Sequence, residues 1–192
     1  MDCLRVDGES LGPSGMAQFL TDIVQINDEA TKFSGEVRAY LIEGDVSEEE
    51  AGLVVEGDTL NGRAYLAFID HNLITNTFRQ RVAATIVNSS TSAFVMPGWI
   101  GLGTSAITPA ATDTALTGET YRKALSTIAV LSTYYGRYVA NFTTTETSGT
   151  FLGMGLFGSS SGGDMDAEVS VSVVKSTTQA LVAEWRLLVS SA

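Results

Sequence analysis

Ala167-Glu168-Val169-Ser170-Val171-Ser172-Val173 places an apolar side chain beside a polar one at every step. Fourteen positions on from Ala167, Leu181, Ala183, Trp185, Leu187 and Val189 alternate with Val182, Glu184 and Arg186. Period two is the pattern of a strand with one buried face. Upstream, Ser126 to Thr145 reads as a long strand-like stretch in which Tyr134, Tyr138 and Phe142 share a face. Such segments, separated by Ser-Gly or Ser-Thr turns, predict antiparallel sheets packed as a sandwich. Trp185 is assigned to the core face.

Two glycine motifs interrupt this pattern without carrying chemistry. Gly153-Met154-Gly155-Leu156-Phe157-Gly158 matches the dinucleotide signature G-x-G-x-x-G. That signature needs a helix N-terminus behind it to hold a pyrophosphate. Ser159-Ser160-Ser161-Gly162-Gly163 follows instead, a short flexible turn by composition. The glycines are expected to let a strand pack closely or bulge. The overlapping G-x-S-x-G lacks the helix, and the histidine after the serine, of a nucleophile elbow. His71, the single histidine, lies far upstream beside Asp70 and reads as a turn or capping residue. Asp164, Asp166 and Glu168 alternate and offer the oxygen ligands that calcium takes. Without the remainder of a calcium loop they read as a solvent-facing edge. Catalytic residues, metal ligands and cofactors are therefore all expected to be none.

Helical spacing occurs in shorter pieces. Met16, Phe19, Leu20, Ile23 and Val24 recur behind Pro13-Ser14. Ser47 and Glu50 form the capping-box pattern Ser-x-x-Glu, so Glu48-Glu49-Glu50 reads as a helix or turn start. Asn61-Gly62 is expected to turn a hairpin between Leu53–Leu60 and Arg63–Ile69. Leu73 to Asn88 reads as one helix with Ile74, Phe78, Val82 and Ile86 on its apolar face and Asn72 or Thr75 as its cap. Arg79 and Arg81 sit off that face.

The chain has 192 residues and one cysteine, Cys3, so no intrachain disulfide or multi-Cys zinc site is available to it. A domain of this size buries roughly 70% of its unfolded surface and needs neither. Its net charge of −11 argues against direct nucleic-acid binding. No apolar run is long enough for a membrane helix, so no membrane partner is expected. Met1-Asp2-Cys3-Leu4-Arg5 lacks the basic and apolar regions of a secretory signal. Charge is unevenly placed: residues 1–60 hold 14 acids and 3 bases, and residues 61–192 hold 8 of each. The expected organisation is an acidic arm or subdomain over 1–60 and a sandwich over 61–192. Overall the fold class is mainly β, an antiparallel β-sandwich with one packed α-helix and an N-terminal acidic segment. Glu48, Glu49 and Glu50 are the candidate partner-facing acids.

One resemblance runs through the second part. It begins at Asn72-Leu73-Ile74-Thr75-Asn76 and continues with Trp99-Ile100-Gly101-Leu102-Gly103-Thr104. Thr108-Pro109-Ala110-Ala111-Thr112-Asp113-Thr114-Ala115-Leu116 follows, with Glu119 and Arg122 soon after. Further on come Ala140-Asn141-Phe142-Thr143-Thr144, Glu146, Gly149-Thr150 and Gly155-Leu156-Phe157. The order resembles tailed-bacteriophage and prophage virion proteins of the capsid decoration (cement) or tail and collar fibre type. It covers roughly residues 71–190, and its most specific part is the Pro-Ala-Ala-Thr-Asp-Thr-Ala-Leu run.

The resemblance implies a non-enzymatic virion protein, made in the bacterial cytoplasm and carried on the particle. Its partners would be the major capsid protein or neighbouring virion subunits, with the chain itself a homo-oligomer there. The leading expectation is a decoration protein that stabilises the shell; the alternative is a tail, neck, collar or fibre component that adheres to the host. Thr108, Pro109, Ala110, Ala111, Thr112, Asp113 and Thr114 form the candidate subunit-docking loop. Pro109 and the small side chains favour an extended, close-fitting course. Asp113 and Thr114 can satisfy amides of the same loop, and Glu119 with Arg122 can pair. An adhesion module would instead expose aromatic residues at one end, for which Tyr134, Tyr135 and Tyr138 are the candidates.

Overall fold

The computed structural model describes residues 5–6, 9–10, 31–87, 96–132 and 135–191. The chain divides into two compact units, residues 1–33 with 189–192, and Ser34–Leu188. In the first, β1 (Arg5–Val6) and β2 (Glu9–Ser10) pair antiparallel. The helix expected behind Pro13 and the Tyr134 position lie outside the described residues.

The remaining strands build two five-stranded antiparallel sheets, the expected β-sandwich. Sheet one runs in the order β5 (Leu73–Ile74), β11 (Met165–Lys175), β10 (Gly149–Phe157), β6 (Trp99–Gly103), β7 (Glu119–Ala124). Sheet two runs β4 (Ala64–His71), β3 (Thr31–Glu43), β12 (Gln179–Ser191), β9 (Tyr135–Phe142), β8 (Thr127–Ser132). The long stretch from Ser126 is thus two strands, β8 and β9, joined as a hairpin.

Register carries the period-two reading into packing. Trp185 pairs with Tyr138, Ala183 with Ala140 and Leu181 with Phe142, so these six share one face, and all are buried. The ring of Tyr121 on β7 meets Phe142 edge-on, 6.1 Å between centroids, which identifies that face as the one turned to sheet one. Val169, Val171 and Val173 supply sheet one's side.

The opposite face of sheet two is also covered. Ser47 accepts from the Glu50 amide and the Glu50 carboxylate accepts from the Ser47 amide, so the capping box starts α1 (Glu48–Val55). Ala51, Val54 and Val55, spaced for one helix face, pack with Tyr40, Ile42, Val139, Ala180 and Val182. Leu53–Leu60 is therefore not the hairpin strand expected from its β-formers. Asn61 and Gly62 do adopt positive φ, 57° and 85°, but they turn the chain from α1 into β4. β3 from Ser34 onward and α1 both precede residue 60 and belong to the Ser34–Leu188 unit, so the boundary expected there falls inside it.

Leu73–Ile74 is strand β5, and the second helix, α2, spans Asn76–Val87. Of the two cap candidates it is Thr75 whose hydroxyl accepts from the Phe78 amide, at 3.3 Å. That hydroxyl also donates to the Met165 carbonyl at 2.6 Å, fastening α2 to β11.

Candidate docking surface

The outer face of sheet one begins as a floor of glycines. Gly101 pairs with Gly155 and Gly103 with Gly153 across β6 and β10. A Cβ on Gly155 would fall 2.8 Å from the Phe157 ring, and one on Gly153 would fall 3.0 Å from Ile107 and 3.1 Å from Leu116. The glycine motif thus makes room for three large side chains. Phe157, Leu116, Met165, Trp99 and Ile107 form a second apolar cluster there.

This floor seats the 104–118 loop. Ile107 and Leu116 anchor its two ends, and Thr108, Thr112, Thr114 and Ala115 are exposed between them. Backbone bonds fix the interior: Asp113 N–H to Ala110 carbonyl (2.9 Å), Asn76 N–H to Ala111 carbonyl (2.7 Å), Met165 N–H to Thr114 carbonyl (3.0 Å). The Ala110 amide donates to Asp113 Oδ2 at 3.0 Å, as expected for this loop, and also to Glu168 Oε1 at 2.9 Å. The expected docking residues are therefore held together as one surface of outward threonines.

Glu119 and Arg122 pair as expected, through two 2.6 Å contacts. They do so along strand β7, with the Arg122 side chain only 9% exposed. Its guanidinium lies 3.5 Å from the Phe157 ring centroid and donates to the Ser159 and Gly162 carbonyls, both at 2.9 Å. The 159–163 turn, flexible by composition, is tied down by this arginine.

Asp166 and Glu168 correct the expectation of a solvent-facing edge. Asp164 is exposed, but Asp166 and Glu168 are buried. α2 and the 104–118 loop pack over their face of β11. Asp166 forms an ion pair with Arg81 of α2. Burial, reinforced by the hydrogen bond its protonated form donates to the Asp113 carboxylate and by that group's negative charge, pushes the Glu168 carboxyl up to about 7. Among the described residues, no group of three or more His, Cys, Asp or Glu side chains is placed to hold a metal ion.

Sheet two ends on apolar edges. Val130 and Ile128 on β8 are 81% and 56% exposed, and Tyr65, Leu66 and Ile69 on β4 are exposed as well. β8 carries no charge and no proline, the two commonest guards of a free strand edge. An open groove of about 480 Å³ lies on the outer side of sheet two, bordered by Glu36, Arg38, His71, Tyr135, Arg186 and Leu188. Tyr135 is half-exposed in it, whereas Tyr138 belongs to the core. His71, at the end of β4, and Ser160, behind sheet one, are carried by different sheets.

Among the partner-facing candidates, Glu48 and Glu49 are exposed. Glu50 is engaged: the Ser47 amide and Arg63, at 2.9 and 2.7 Å, hold its carboxyl below the usual range. Elsewhere Lys175 is 1% exposed, its ammonium makes no hydrogen bond, and burial lowers its pKa. Among the described residues no helix is long and apolar enough to cross a membrane. No family model, no curated protein and no solved structure matches the chain.

Proposed function

We propose that the chain is a non-enzymatic structural subunit of a tailed-phage particle, a decoration protein that binds the major capsid protein lattice and stabilises the shell. The observation that carries this reading is the seating of the 104–118 loop. Ile107 and Leu116 fill a glycine floor, and five backbone or carboxylate bonds hold Ala110 to Thr114. A loop ordered before docking loses little conformational entropy on docking, so its contacts translate into affinity. Its outward threonines offer hydroxyl donors and acceptors without charge. The neutral apolar edge at β8 supplies a second contact, suited to a neighbouring copy on the same particle.

Tail, neck or fibre adhesion is the second reading, favoured by the groove on sheet two. Tyr135 beside Arg38, Arg186 and His71 combines an apolar ring with hydrogen-bonding groups, a pairing that suits a host glycan. Density maps of intact particles test both. Density for this sandwich over the shell lattice is the expected result. Density at the tail or neck transfers the proposal to the second reading, and absence of the chain from purified particles overturns both.

A further inference from the structure

The buried carboxyl of Glu168 faces a second carboxyl rather than a cation. Glu168 is 2% exposed, and the Ala110 amide is shared between Glu168 Oε1 and Asp113 Oδ2 at 2.9 and 3.0 Å. The other charges around this face are committed elsewhere. Arg81 on α2 is paired with Asp166 and lies near Asp164, and both carboxylates precede Glu168 on the 164–168 stretch. Arg79 on the same helix is exposed. The strand neighbours in register with Glu168 are Leu73 on β5 and Gly155 on β10, which carry no charge.

Two negative carboxylates, one of them buried, cannot share one amide without strong repulsion, whereas one proton between them supplies a hydrogen bond in its place. We propose that the 107–114 segment is a proton-fastened strap: one proton shared by Asp113 and Glu168 holds Ala110 and its neighbours on β11, and losing it releases the threonine surface. The consequence for particle binding rests on the docking role proposed above; the strap itself does not.

The sign follows from linkage. Folded, Glu168 keeps its proton to about pH 7; its ordinary value is 4.5. The stabilisation is thus complete below about pH 4.5 and is lost as pH rises through 7. It runs opposite to an ordinary ion-paired carboxylate, which stabilises at high pH.

Amide hydrogen exchange of the purified full chain, read at Ala110 from pH 5.5 to 8.5, tests the strap. After correction for intrinsic exchange, protection should fall by up to about tenfold per pH unit from pH 5.5 towards 7 and level off above it, as release of one proton requires. Glu168→Gln keeps a donor in the place of the shared proton and should hold protection level across the range. Asp113→Asn, at the partly exposed partner, should do the same and serves if the buried variant does not fold. Parallel pH profiles for wild type and a folded variant would overturn the proposal. So would protection at pH 8.5 that requires added Ca²⁺ and vanishes with a chelator, because a cation would then be the fastener. A strap that titrates while particle binding stays level between pH 6 and 8.5 would support the strap and count against the loop as the docking surface.

Discussion

Trp185 concentrates what the period-two pattern could and could not convey. Its side chain is fully buried, with Leu181, Ala183, Tyr138 and Phe142 on the same face. Trp185→Ala should cost about 3–5 kcal/mol, from lost burial and a residual cavity. A shift of the urea midpoint at unchanged slope checks this; an unmoved midpoint would mean the strand register is wrong. The same strand shows where the pattern stops informing. Glu184 and Arg186 look like a solvated face, yet Glu184 is fully buried. Arg186 reaches it at 2.8 Å and Arg137 of β9 at 3.1 Å, and Arg137 lies 47 positions away in sequence. Asp166 and Glu168 are read wrongly for the same reason. Their cover comes from α2 and the 104–118 loop, and local alternation contains nothing about a segment 58 positions away.

At the scale of elements, local chemistry was most readable where both partners are close in sequence. Ser47 and Glu50 form their box as expected, and Ser47→Ala should lower stability by about 1 kcal/mol through the lost cap. A thermal midpoint drop of a few degrees with unchanged far-UV dichroism would match; no drop would mean α1 is held by packing alone. The β-formers Val54 and Val55 at the end of α1 mislead because propensity is a weak prior beside three apolar side chains packing on one cluster. β8 makes the opposite case, an edge whose exposure nothing among the described residues explains. Val130→Lys introduces the charge that protects free edges. If β8 carries the contact between copies proposed above, this variant should abolish self-association in sedimentation velocity while leaving stability within about 0.5 kcal/mol of wild type, as for other surface changes. Equal association by both proteins would remove β8 from the assembly surface.

Across the whole molecule, the two parts of the charge distribution are used differently. Residues 61–192 balance 8 acids against 8 bases, and much of that balance is internal. Asp166 pairs with Arg81, Glu119 with Arg122, Glu146 with Lys123, and Glu184 with Arg137 and Arg186. Among the described acids of residues 31–60, Glu36, Glu50 and Glu56 pair with arginines, whereas Glu48 and Glu49 stand exposed at the start of α1. If this end meets a basic rim of the shell, attraction should act mainly on association rate and fade as salt shortens the screening length to about 8–10 Å. Glu50 must be left intact in the test, because it closes the capping box and holds Arg63. The paired substitution Glu48→Gln with Glu49→Gln removes two charges while keeping side-chain length. It gives up about 0.3–1 kcal/mol per site of favourable interaction with the helix N-terminus, a small and measurable stability change. Particle binding by the double variant should be slower at low salt, with a flatter salt dependence than wild type. The two proteins should converge at high salt, where the attraction is screened for both. A helix that serves only as a solvated face would give identical binding at every salt concentration and lower solubility in the variant, and that result would eliminate the partner-facing role of these acids.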